Sequence, residues 1–518
     1  MKAKGISHMK CITNGLIVTL VALSGLTVRA GIERTWIGPS GGMWNVEANW
    51  SPNGVPQDGD TLKFGSTAAK IQSGNNIKGL HLAGLSFFGN QEIQVLGQPI
   101  VLSGGNGETT ISNTMTANMP ALELDVEFDG DQAFSLTGTH ISFKNNVLTG
   151  TADITIAGGK YVYIYGENRI NGNFFVQAGV FRLCNAKASL LDPSKTVTVG
   201  TSSSWAGLFL DAADIVVSNA IDLVKTADSS PAISVANRAV LAGDITVGAR
   251  LRWGGVAGSR ATVCGNVFNT AAVAENDVFY QGVGEGSELT FVRPVKCGRM
   301  KLYGNDVGGT FTFLAPGNEF KSTNFRGGTM RFAASDALPE NIVLAFNHPV
   351  NMVAKLDFSG TTQTVDRVTS ATVFSEVDEV FADRPAKLVM KSTADAFFCG
   401  QFNGALSLEW TPSGTSVLSL SNAVSTMSGD LLVRKGAVRF LAPAQLRMGT
   451  LEVSDGARLG LCDGAALTVD YASAADRRIG PGRYTGIGGP ADAKSVGWID
   501  GVGVLTVRKG LGLMLLLR

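Results

Sequence analysis

The sequence predicts an all-β chain wound as a parallel β-helix, a β-solenoid forming a single elongated rod with capped ends. Three observations predict it. Helical periodicity is nearly absent after residue 30, with no long stretch carrying apolar residues at i, i+3, i+4 and i+7. Short alternating apolar/polar runs recur instead, each bounded by Gly, Asn, Asp or Ser. Gly reaches 64 of 518 residues against a usual ~7%, and charged residues fall to 17% against a usual ~25%. Stacked coils need many tight corners and leave little chain as solvated loop, which accounts for both departures.

The elements follow in chain order. Residues 1–30 read as a secretory signal peptide. Lys2, Lys4 and Lys10 form a positive start, an apolar stretch runs from Leu16 to Leu26, and Val28 and Ala30 put small residues before a cut at Gly31. The expected location is therefore secreted or on the outer cell surface. The apolar stretch falls short of the ~20 residues that a spanning helix needs, so no integral membrane domain is expected. Removing the segment takes four bases and no acid from a chain with 43 of each, leaving a small net negative charge. Five cysteines remain, Cys184, Cys264, Cys297, Cys399 and Cys462, scattered without a C-x-x-C; they read as single buried thiols rather than zinc ligands, with one or two adventitious disulfides as the alternative in an oxidising compartment.

Residues 31–65 are rich in Trp and Gly and read as an N-terminal cap, with Trp36, Trp44 and Trp50 supplying the apolar bulk that closes the open end of a stack. Residues 66–470 carry the strand signature, for example at 151–156, 160–165, 195–199, 214–217, 244–247, 310–314, 416–420 and 449–453. Repetition separates a solenoid from a sandwich. Residues 179–183, 328–332 and 436–440 all read Gly-x-apolar-Arg-apolar. Each lies downstream of an Asn (Asn168, Asn318, Asn422) and upstream of a small-residue stretch containing Leu. Period-2 alternation points the flanking apolar pair inward and Arg outward. Such a unit buries its apolar face only when stacked. With roughly 20–25 residues per coil and about 4.8 Å per rung, the rod is expected to be on the order of 80–100 Å long. Residues 471–518 form a closing coil and a short apolar tail, read as a last strand or part of a sorting signal.

Composition excludes several functions. With 43 bases against 43 acids there is no basic field to displace nucleic-acid counterions, and the 44% hydrophobic content argues against a disordered chain. Residues 31–518 hold three histidines, His81, His140 and His348, with no H-E-x-x-H, G-x-S-x-G or P-loop, so the chain is read as non-catalytic and without a cofactor.

Two constellations are candidates for binding. Glu123, Asp125, Glu127, Asp129 and Asp131 alternate with apolar residues, which in one strand would place five carboxylates on one face. The structural reading is a solvated outer wall; the functional one is a calcium site at Asp125, Glu127 and Asp129. That spacing resembles the start of an EF-hand loop, but Leu136 stands where its bidentate Glu belongs. Residues 104–111 resemble one nonapeptide calcium repeat, with Thr109 where Asp belongs, and read as a turn. Tyr161, Tyr163 and Tyr165 share the other side of a strand from Val162 and Ile164. Such rings stack on one another across strands, or on sugar rings; the second use would make them glycan contacts and a surface or extracellular polysaccharide the partner.

Residues 36–64, residues 428–440 (Ser-Gly-Asp-Leu-Leu-Val-Arg-Lys-Gly-Ala-Val-Arg-Phe) and the ending at 497–507 (Gly-Trp-Ile-Asp-Gly-Val-Gly-Val-Leu-Thr-Val) resemble secreted bacterial proteins built from autotransporter-associated β-strand repeats. The resemblance implies a secreted or surface-displayed right-handed β-helix with no established enzymatic activity, acting as a structural or adhesin-like protein. One departure stands out. An autotransporter ends in a membrane barrel of alternating amphipathic strands, and no such pattern follows residue 470. The alternative is a polysaccharide-binding or pectin-lyase-like β-helix, in which Lys or Arg would act beside acids that hold calcium.

Overall fold

The computed structural model describes residues 31–509 apart from 66–69, 106, 202–204, 226–231, 249–250, 256, 270–276, 283–285, 305–308, 347–351, 371–376 and 423. The signal-peptide reading of residues 1–30, the tail at 510–518 and His348 lie outside the described residues.

The chain is a β-solenoid of stacked parallel coils, with about 2% helix. A typical coil has three strands. Gln132–Leu136, Ile141–Phe143 and Val147–Gly150 make one coil, and Ile154–Ala157, Tyr161–Ile164 and Glu167–Ile170 make the next. Each strand pairs in parallel with its counterpart: Phe134 faces Ile156, Phe143 faces Ile164 and Leu148 faces Asn168. Equivalent positions lie 20 residues apart at Ile154 and Phe174, 22 at Gln72 and Gln94, and 24 at Lys355 and Glu379, as the repeat arithmetic predicts.

Alternation sends every second side chain inward, where like residues pile on like along the axis. Phe291, Phe313 and Phe332 form one such column, with successive ring centroids 5.2 Å apart and planes within 12° of parallel. Fully burying one such ring contributes about 1.5–3 kcal/mol, an amount no single coil could realise alone.

The first two Gly-x-apolar-Arg-apolar segments are strands, and the third is Gly436 followed by the strand Ala437–Phe440. In each, the flanking apolar residues are buried and Arg182, Arg331 or Arg439 points out. Gly179, Gly328 and Gly436 all have positive φ, the conformation that favours glycine. The upstream asparagines are buried staples between coils. Asn168 Nδ2 donates to the Ser189 carbonyl, Asn318 Nδ2 to the Ala337 carbonyl and Asn422 Nδ2 to the Cys399 carbonyl. For Asn168 and Asn318, the acceptor is the small-residue stretch beyond the repeat. Gly179–Leu183 and Gly328–Phe332 lie in different sheets, so the units repeat a local strand-and-corner solution rather than one position in the coil.

Both ends close with antiparallel strands. Glu33–Trp36 pairs antiparallel with Trp50–Ser51 and parallel with Thr61–Phe64, so the cap at 31–65 already contains the first rung. Trp36, Trp44 and Trp50 are buried, with Trp36 and Trp50 edge-to-face at 5.0 Å and Trp50 Nε1 donating to the Trp44 carbonyl. The buried pair Arg34–Asp60 holds this end at 2.6 Å, and Asp60 also accepts the Ile32 and Gln57 amides. At the other end Val504–Val507 continues the parallel stack on Ala466–Ala474, and Gly482–Thr485 folds back antiparallel onto it.

Candidate ligand-binding surface

The outer side of the wall formed by the middle strands carries an aromatic and cationic patch across four coils. Its residues come from the His140 corner and the strands Tyr161–Ile164, Gly179–Leu183 and Ala206–Leu210. Register sets Tyr163 beside Arg182, and Arg182 beside Phe209. Val162 and Ile164 are buried in the core, so Tyr161 and Tyr163 face outward and Tyr165 follows at the strand end.

The backbone beneath the patch is fixed. Asn113, buried one coil earlier, donates from Nδ2 to the Thr139 and His140 carbonyls at 3.0 and 2.9 Å. His140 Nδ1 accepts the Tyr161 amide at 3.0 Å, and its ring stacks on Tyr161 at 4.4 Å. Gly179 lets the next coil approach: a Cβ there would meet the Lys160 carbonyl oxygen at 2.0 Å.

The rings form a continuous group. Tyr161 and Tyr163 lie 5.9 Å apart, and Tyr163 and Tyr165 lie 5.9 Å apart with planes 2° from parallel. Trp205 and Phe209 meet Tyr161 edge-on. The Arg182 guanidinium sits 5.0 Å from the Tyr163 centroid and 5.6 Å from those of Tyr161 and Phe209, a cation–π arrangement. It is ion-paired with Asp211 and donates to the Tyr163 hydroxyl at 3.1 Å. Lys144 Nζ lies 6.0 Å from the Tyr165 centroid.

Titration reflects this packing. Burial, then the Lys160 and Arg182 charges, hold His140 below its ordinary 6.5. Burial lowers Arg182, but the Asp211 hydrogen bond and charge outweigh it and leave it raised. Burial, followed by the Asp211 charge, pushes the Cys184 thiol up to about 11. Tyr165 is raised as well, by burial first and then by Cys184 and Tyr163.

The tyrosines expected as glycan contacts are thus brought together, stacking on one another while Tyr165 stays 39% exposed. The acidic row is divided. Leu124 and Asp125 form a corner between Ala121–Glu123 and Val126–Asp129, so the five carboxylates do not share one face of a single strand. The cause is Asn146, whose buried Nδ2 donates to the Leu122 and Leu124 carbonyls and holds the bend. Glu123 accepts from Gln94 Nε2, Asp125 from the Val147 amide and Asp131 from the Asp153 amide, while Glu127 and Asp129 point to solvent. Asp125, Glu127 and Asp129 do not converge: among the described residues, no group of three or more His, Cys, Asp or Glu could hold a metal ion. Near residue 104 the Glu108 amide donates to the Gly105 carbonyl, a turn.

His140, Lys144, Arg182, Trp205, Phe209 and Asp211 carry no sequence signal that marks them as site residues. Arg182 stands 19 residues from Tyr163 and 29 from Asp211, so only knowledge of the coil register could have joined them. Elsewhere, Glu33, Lys63, Ser86, Thr109, Ser112 and Ser135 line a shallow polar depression with a Lys63–Glu33 ion pair inside it. Comparison with protein-family models, curated proteins and solved structures gives no match. Among the described residues no helix is long and apolar enough to cross a membrane.

Proposed function

We propose that this chain is an exported, non-catalytic β-solenoid that serves as a structural, adhesin-like protein at the cell surface or outside the cell, of the autotransporter-associated β-strand repeat kind. The observation that carries this reading is the closure of both ends by antiparallel strands, at Trp50–Ser51 and Gly482–Thr485. Capped ends block end-to-end addition of further strands. They leave a rod of fixed length whose side walls are the surface open to contact, which suits display. The leader-like sequence at 1–30 supports export.

A polysaccharide-binding role is the second reading, favoured by the outward Tyr161–Tyr165 rings. Polysaccharide cleavage gains no such support, because the acids of 123–131 spread around a corner and Asp125 and Asp131 are tied to backbone amides. Fractionating producing cells, and exposing intact cells to protease, tests the main reading. The protein should appear in the medium or be cleaved on intact cells, and purified protein should release no new reducing ends from polysaccharides. Retention in the cytoplasm, or polymer cleavage, would overturn it.

A further inference from the structure

We propose that the patch centred on Tyr163 and Arg182 is a binding site for a carboxylated polysaccharide, whose sugar faces lie on the rings and whose carboxylates meet Lys144 and Lys160. This deepens the second, polysaccharide-binding reading by naming the ligand class, and it rests on that reading.

Three features carry it. Area comes first. The patch runs over three inter-coil steps, about 14 Å along the rod, and four residues along the strand, about 13 Å. That accommodates a short run of sugars rather than a single one. Rigidity comes second. The His140 stack, the Arg182 cation–π contacts and the Arg182–Asp211 pair fix the rings before any ligand arrives. Little side-chain freedom is then lost on binding, and preorganisation of this kind raises affinity. Charge comes third. Lys160 and Arg182 lie close enough to His140 to add to the effect of burial in disfavouring its imidazolium, and Lys144 borders Tyr165 at 6.0 Å from the ring centroid. The acid within the group, Asp211, is already held by Arg182. With Arg182 matched by Asp211, Lys144 and Lys160 are the cations left at the border of the patch, and a tyrosine wall bordered by cations selects a ring-bearing polyanion over a neutral glycan.

Affinity electrophoresis of the purified full chain through gels containing polygalacturonate, dextran or poly-glutamate tests this. Polygalacturonate should retard the protein more than dextran, which lacks charge, and more than poly-glutamate, which lacks sugar rings. Tyr165→Ala should weaken retention about fivefold, the loss expected of one aromatic face. Lys144→Ala should weaken it roughly threefold, as for an exposed ion pair. Ser112→Ala, on another wall, should behave as wild type. Tyr165 and Lys144 lie outside the buried core, and unchanged thermal unfolding would confirm that these variants fold. Equal retardation by poly-glutamate or dextran, no retardation by polygalacturonate, or undiminished binding by Tyr165→Ala would overturn the proposal. Release of reducing ends from polygalacturonate would instead overturn the non-catalytic reading and leave the site standing.

Discussion

His140 shows how one side chain joins two coils and makes their union sensitive to pH. Its Nδ1 accepts the Tyr161 amide, so that nitrogen must be unprotonated. Burial and two neighbouring cations also disfavour the imidazolium, which places the folded-state pKa below the ordinary 6.5. A depressed pKa means that the unfolded chain binds the proton more readily. The stabilisation is present above about pH 6.5 and is lost as pH falls through the lower, folded-state value. An NMR titration of the His140 ring should give a midpoint below 6.5, and protection of the Tyr161 amide should fall with the same midpoint. His140→Asn should remove that pH dependence. A midpoint at or above 6.5 would contradict this account. The residue scale was partly legible in the sequence. Alternation alone identified Tyr161, Tyr163 and Tyr165 as sharing one face. The partners that fix them could not be read, because they come from coils at unequal offsets of 19 to 29 residues.

At the scale of elements, the coil junctions depend on glycine for two separable reasons, conformation and clearance. Gly159 has φ +81° with open space where a Cβ would stand, so Gly159→Ala carries the conformational cost alone, about 1 kcal/mol. Gly179 has φ +91°, and a Cβ there would collide with the Lys160 carbonyl oxygen one coil away. Gly179→Ala should therefore cost about 2–4 kcal/mol, conformational strain and overlap together. Chemical denaturation of the two variants checks the ordering; equal losses would show that coil clearance at Gly179 is unimportant. Elements were the most legible scale. The Gly-x-apolar-Arg-apolar units were recognisable because alternation and a positive-φ glycine are local properties. The bend at Leu124–Asp125 was not, since the unbroken alternation of 122–131 reads as one strand. The side chain that holds that bend, Asn146, lies in the following coil.

For the whole molecule, the caps and the stack make separate predictions. A chain truncated after residue 476 loses Val504–Val507, which pairs with Ala466–Ala474, and Gly482–Thr485, which pairs with Val504–Val507 in turn. The exposed edge should drive self-association, visible by light scattering as particles larger than the wild type; an unchanged monomer-sized particle would show that the C-terminal strands are not a cap. Stacking was inferred from strand repetition and the scarcity of charge, and the core columns agree with it. The parallel register itself is tested most directly by engineered disulfides. Ser86 pairs with Ser112, and Ser112 with Ser135, on successive coils. Parallel neighbours lie about 4.8 Å apart, within the ~4.4–6.8 Å that a disulfide spans, whereas Ser86 and Ser135 are two steps apart. Cysteine pairs at 86 and 112 and at 112 and 135 should link on oxidation, as mapped by mass spectrometry, and the pair at 86 and 135 should not. Linkage of 86 to 135, or failure of both neighbouring pairs, would contradict the stacked-coil fold.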